Sequence, residues 1–191
     1  MTRPDTVGGR ERLRLFLALE LPDDVVADLV AWRERHLQAG RPVGSLHVTL
    51  AFLGSQPRSL LAAILEALRS SAREARPFML EPERYRETRS VGMLVLDDPS
   101  GDATRLARLL QERLEVLGAY RREARPWLPH VTLVRFRERP RLDPPLPEIG
   151  PVTPSGAAAF LSCLSPSGAR YVVLESCSLG VSEPEGSESG G

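Results

Sequence analysis

The sequence predicts an α+β protein made of two pseudo-symmetric lobes, each an antiparallel sheet backed by helices, around a central cleft. Three observations carry this. Segments of period-2 alternation interleave with segments of helical spacing. The tetrapeptide His-Val-Thr-Leu occurs twice, at 47–50 and at 130–133. Each copy ends the same succession of helix, connection and strand, a repeat far too long for the common solenoids.

The elements follow in order. RLRLFLALE at 12–20 sets Leu13, Leu15, Leu17 and Leu19 against Arg12, Arg14 and Phe16, the signature of a strand with one buried face. Pro22, Asp23 and Asp24 open a helix whose stripe is Val26, Leu29, Val30 and Leu37, and Gly40 and Pro42 stop it. LHVTLAFLG reads as a strand closed by Gly54. Behind Pro57, Leu60, Leu61, Ile64, Leu65 and Leu68 recur at helical spacing. RPFMLEPERYRETRSVGMLVLDDP holds two or three strands, with VGMLVL the clearest, and Leu106, Leu109, Leu110, Leu114 and Leu117 stripe a helix that starts near Asp102. The second copy lies in RPWLPHVTLVRFRE. An extended connection follows, because the residue before each of its prolines is pushed out of helical geometry. AAAFLSCL and ARYVVLESCSL, joined through Ser165, Pro166, Ser167 and Gly168, form a closing hairpin. One bilobal domain is expected over 12–181, with polar, Gly- and Ser-rich tails at 1–11 and 182–191 expected to be disordered.

Composition narrows the function classes. With 191 residues, 42% hydrophobic and 26% charged, the chain can bury a real interior. No apolar run approaches the roughly 20 residues that span a bilayer, and the arginine-rich opening lacks a signal-peptide core, so a cytoplasmic protein without membrane contact is expected, and a monomer. Cys163 and Cys177 lack CxxC spacing and are read as two reduced, partly buried thiols. Formal charge is zero, and all 25 basic residues are arginine. Any contact with a polyanion must therefore be local.

The chain has three histidines, and two of them begin the repeated phrase. A given histidine acquires that suffix by chance on the order of once in a few thousand cases. A lone strand histidine is ordinarily structural, and His36, on a helix without a motif, keeps that reading. The repeat reverses it for His47 and His130. On a strand, residues i and i+2 share a face, so His47 and Thr49 point together while Val48 and Leu50 anchor the core, and the second copy repeats this with His130 and Thr132. Two lobes related by a two-fold bring one imidazole to each side of a substrate. In-line displacement at phosphorus needs that arrangement: a neutral imidazole takes a proton from water, a protonated one gives a proton to the departing oxygen, and the threonine hydroxyls meet the charge on the remaining oxygens. No metal is required. A three-histidine zinc site lacks the close ligand pairs typical of such sites.

These motifs, with RLFLALELP before them and SPSGARYVVL after, resemble the 2H phosphoesterase family, and most closely its LigT-like RNA 2′,3′-cyclic phosphodiesterase branch, over roughly residues 12–180. The resemblance implies two α+β lobes around a cleft, no cofactor, and hydrolysis of a ribose 2′,3′-cyclic phosphate to a 2′-phosphomonoester, with weak 2′-5′ RNA ligation as the reverse reaction. It implies His47 and His130 as the catalytic pair and Thr49 and Thr132 as phosphate-oriented hydroxyls. Within the pair, His130 is assigned as the base and His47 as the acid. Arg135 matches an arginine that follows the second motif, although strict alternation turns it away from His130 unless a bulge intervenes. Phe52 occupies the matching place in the first copy. Where family members show two aromatics this chain has Phe16 and Leu17, which leaves Phe16 or Trp127 to stack a base. Trp32 and Trp127 otherwise read as core, and Arg121, Arg122 and Arg125 as a solvated charge run that could guide an RNA end. The expected partners are RNA ends or nucleotides carrying a cyclic phosphate. Two alternatives are kept: a non-catalytic binder of RNA ends or nucleotides, and a phosphodiesterase acting on ADP-ribose 1″,2″-cyclic phosphate.

Overall fold

The computed structural model describes residues 11–165 and 168–180. Along the chain come β1 (Arg12–Glu20), α1 (Asp23–His36), β2 (Arg41–Pro42), β3 (His47–Pro57), α2 (Leu61–Arg73), β4 (Glu81–Glu87), β5 (Val91–Asp97), α3 (Asp102–Val116), β6 (His130–Arg135), β7 (Gly156–Ser165) and β8 (Gly168–Cys177). Apart from Glu11, which pairs with Arg58 at 2.9 Å, the predicted tails lie outside the described residues, as do the turn residues Pro166 and Ser167.

The strands join into one antiparallel sheet in the order β4-β5-β6-β3-β1-β7-β8, with β2 pairing β6. That order is nearly symmetric about the β3–β6 seam, where a single registered pair, Val48 with Val131, joins the halves. The α+β class and the helix-backed antiparallel strands are as the sequence predicts. The two lobes, however, are halves of one continuous sheet, because β3 and β6 satisfy their inner edges against each other.

The core lies on one face. Leu17, Leu19, Val48, Leu50, Leu94, Val131 and Leu133 are all nearly inaccessible there, packed with Leu29 and Trp32 of α1, Ile64 and Leu68 of α2, and Leu106, Leu110 and Leu114 of α3. Burial of this much apolar surface is the main force holding the helices to the sheet. A second, smaller cluster of Phe16, Ala18, Ala158 and Phe160, with Tyr171 against it, covers part of the opposite face. β1 is therefore buried on both sides from Leu15 to Leu19, where alternation predicts one. Its place between β3 and β7 explains this, and LFLAL has no polar residue to turn outward.

Three further details depart from the sequence reading. β3 does not stop at Gly54, which adopts φ 64° inside the strand while pairing continues to Pro57. Past Pro57 a 3-10 turn over Arg58–Leu60 precedes α2, whose helix starts at Leu61. Cys163 is exposed and Cys177 half-buried; both are free. The long proline-rich connection is extended as predicted, and buried Glu87 ties it down by accepting the backbone N–H of Arg141 and of Leu142, each at 2.9 Å, and Arg139 Nε at 3.2 Å.

Candidate functional site

His47 opens β3 and His130 opens β6, each on the strand beside the seam. Antiparallel pairing about Val48 and Val131 sets His47 opposite Thr132 and Thr49 opposite His130. Val48 and Val131 are buried against the helices while these four residues are half-buried on the other face, so all four polar side chains share it. The outer neighbours extend the rows: Glu20 pairs with His47 and Ala18 with Thr49 on one flank, Met93 with Thr132 and Val95 with His130 on the other.

Beyond the motif each strand bulges at its third residue after the histidine. Ala18 pairs with Thr49 and Leu17 with Ala51, which leaves Leu50 as an extra residue in β3. Met93 pairs with Thr132 and Gly92 with Val134, which leaves Leu133 extra in β6. A bulge inverts the alternation beyond it. Phe52 thereby returns to the face of His47, and Arg135 to the face of His130, as the arginine's predicted role requires. The carbonyls of both bulge residues have donors: Gln111 Nε2 of α3 donates to Leu50 O at 2.8 Å, and Val43 N, next after β2, donates to Leu133 O at 3.0 Å. An unmet carbonyl at either place would cost roughly 1–3 kcal/mol. Both side chains are exposed, Phe52 at 61%, unusual for a large apolar residue.

The two imidazoles meet different surroundings. His130 Nδ1 bonds to Leu128 O at 2.8 Å, which makes Nδ1 the protonated nitrogen of the neutral ring and leaves Nε2 for a ligand. Around His47 stands an aromatic wall: Phe16 stacks on it at 4.9 Å between centroids, and Phe160 and Tyr171 each lie 5.8 Å away. This burial lowers the His47 imidazole from 6.5 to about 4, and a charge on nearby His130 adds to the lowering. The Ser45 carbonyl, two residues back as Leu128 is from His130, acts in the opposite sense without reaching hydrogen-bond geometry, and Nδ1 of His47 is buried without a partner. Phe16, only 3% exposed, is committed to His47 and Phe160, so a substrate base cannot stack on it.

An open cavity of about 750 Å³ adjoins His130, Thr49 and Phe52. Arg86, Thr88 and Met93 line it, as does the 120–128 connection with Arg122, Arg125 and Trp127. Trp127 is only part-buried, and its Nε1 donates to Thr49 O at 2.8 Å, fixing the indole at the cavity edge where the sequence suggests a core position. Trp32 is core, 3% exposed, and half-buried His36 lies beside it with centroids 5.4 Å apart. The roles of Phe160 and Tyr171 around His47, and of Arg86 in the cavity, carry no local sequence signal, because only strand pairing brings them there. Among the described residues no three His, Cys, Asp or Glu side chains are grouped to hold a metal ion, and no helix is long and apolar enough to cross a membrane.

Paired His-x-Thr strands meeting at a pseudo-two-fold seam, each bulged three residues on, define the class. The chain belongs to the 2′-5′ RNA ligase superfamily, whose family model matches residues 21–158. A curated relative from Thermus thermophilus, named RNA 2′,3′-cyclic phosphodiesterase, is 34% identical, the match covering 87% of this chain and 90% of the relative. A protein of the same name from Escherichia coli is 32% identical over 65% of this chain and 73% of its own. The crystal structure of E. coli LigT complexed with 3′-AMP is similar with a TM-score of 0.77 and 26% identity, covering 88% of this chain and 99% of that one.

Proposed function

We propose that the protein hydrolyses RNA or nucleotide 2′,3′-cyclic phosphates to 2′-phosphomonoesters by acid–base catalysis between His47 and His130. The observation that carries this is the convergence of His47, Thr49, His130 and Thr132 on one face across the β3–β6 seam. The names of the Thermus and E. coli relatives support the substrate class.

In this reading the cyclic phosphate lies over the seam, its non-bridging oxygens accepting from the Thr49 and Thr132 hydroxyls and meeting the charge of Arg135. Neutral His130 takes a proton from water as the water oxygen bonds to phosphorus, and the bond from phosphorus to O3′ breaks as O3′ takes a proton from charged His47. The product is a 2′-phosphomonoester and a free 3′-hydroxyl. His130 ends charged and His47 neutral, and exchange with solvent resets both. Run backward on a 2′-phosphorylated end, the same steps re-form the cyclic ester; with another RNA's hydroxyl in place of water, they constitute 2′-5′ ligation. The site needs His47 charged, and its aromatic wall keeps it neutral in the free protein, so the anionic phosphate itself brings His47 into its acid form. Free Cys163 and Cys177 fit a reducing compartment such as the cytoplasm.

The test is a comparison of His47→Ala and His130→Ala with the parent on a cyclic-phosphate-ended RNA, with the product identified by phosphorus NMR and nucleotide affinity measured alongside. Each variant should lose about 10²–10⁴-fold in turnover while binding nucleotide nearly as well. Turnover retained in either variant would remove that histidine from the chemistry. A parent protein that binds without turning over would be a binder of RNA ends.

A further inference from the structure

The cavity flanks one histidine only. It opens beside His130 and Thr49 and does not reach His47, whose side of the seam is closed by Phe16 and Phe160. A substrate that extends from a cyclic phosphate over the seam has this cavity beside it on the His130 side, and the charges there bear on what it can hold. Arg122 is committed to Glu115 at 3.2 Å and Glu112 at 3.5 Å. Among the described residues Arg86 and Arg125 have no carboxylate within ion-pair distance, although both border the cavity. One is on β4 and the other on the connection before β6. Glu123, two residues before Arg125, also borders the cavity, so the cavity presents two unmatched guanidinium groups and one carboxylate. Arginine pairs of this kind suit the oxygens of a phosphate ester.

Resting on the proposed function, we propose that this cavity holds the phosphate on the 5′ oxygen of the terminal ribose, with Arg86 and Arg125 as its cationic partners, so that the preferred substrate is an RNA end and not a nucleoside cyclic phosphate. Exposed Phe52 and the fixed ring of Trp127 offer flat apolar surfaces at the cavity mouth for bases, a sequence-tolerant contact suited to ends of any composition.

The experiment compares kcat/KM for a nucleoside 2′,3′-cyclic phosphate with that for the same compound bearing a 5′-phosphate, and for a dinucleotide with a cyclic end. The parent should favour both phosphorylated substrates by roughly ten- to hundredfold, the worth of one or two charge-assisted hydrogen bonds. The preference should shrink as salt is raised. In Arg86→Gln/Arg125→Gln the ratio should fall to near one. Advantage for the dinucleotide alone would assign the site to an internucleotide phosphodiester; equal advantage would assign it to any 5′-phosphate, and both support the proposal. A parent ratio near one overturns it, as does a ratio that survives the double substitution. Calorimetry with nucleoside 2′-monophosphate and 2′,5′-bisphosphate reads the same ratio in binding, so a protein without turnover, which would defeat the proposed function, still decides this point.

Discussion

Binding of a phosphate anion should raise the pKa of His47 from about 4 to about 7. In the free protein the aromatic wall of Phe16, Phe160 and Tyr171 strips water from the ring. A phosphate over the seam places a full negative charge within reach of Nε2. One unit charge at 4 Å, at the effective dielectric of about 20 typical near a protein surface, stabilises the imidazolium by about 4 kcal/mol. At about 1.4 kcal/mol per pKa unit this is about 3 units, enough to charge a good fraction of His47 at neutral pH. Ring-carbon NMR titrations of His47, assigned with His47→Gln, would follow this with and without saturating inorganic phosphate or a nucleoside 2′-monophosphate. A pKa that stays near 4 in the complex would refute the reasoning: His47 could not be the acid, and the division of labour would be reversed.

Three other outcomes follow from the same geometry. Thr132→Val and Thr49→Val each remove one of the hydroxyls proposed to donate to the phosphate and should lower kcat/KM by roughly ten- to a hundredfold or more, read in steady-state kinetics on a cyclic nucleotide. Lowering the pH should destabilise the ligand-free protein through His47: its folded pKa is depressed, so the unfolded chain takes up a proton first, and stability falls as pH drops from 6.5 toward 4 and no further from this source. Denaturant unfolding of the parent and His47→Asn over that window should show the parent alone carrying this loss. Gln111→Leu leaves the Leu50 carbonyl without its donor at the β3 bulge and should cost about 1–3 kcal/mol in urea unfolding, with catalytic losses if Phe52 shifts with the bulge.

The meeting of the two motifs was legible because the phrase was written twice. One His-Val-Thr-Leu would have passed for an ordinary strand, but two copies, each after a helix, imply a two-fold, and the two-fold implies facing imidazoles. Elements with strong periodicity, such as the Leu106 to Leu117 stripe, were legible for the same local reason. What could not be read locally depends on strands distant in sequence. The fusion of the lobes into one sheet requires knowing that β3 and β6 meet edge to edge. The bulges at Leu50 and Leu133 exist only relative to β1 and β5, so the sequence could pose the facing of Arg135 toward the site only as a condition. The environment of His47 comes from Phe160 and Tyr171, over a hundred residues away, and Phe16, a base-stacking candidate in the sequence, is used up in building it. Gly54 reads as a strand terminator by residue type, yet its positive φ accommodates an irregularity inside β3.

The central claim is that two imidazoles act on one phosphorus atom, and a crystal structure with phosphate or a nucleoside 2′-monophosphate bound tests it most directly. Nε2 of His47 and Nε2 of His130 should each lie about 2.7–3.2 Å from oxygens of the same phosphate, on opposite sides of it, with both threonine hydroxyls in contact. A phosphate held by one histidine alone, or bound away from the β3–β6 seam, would contradict the account.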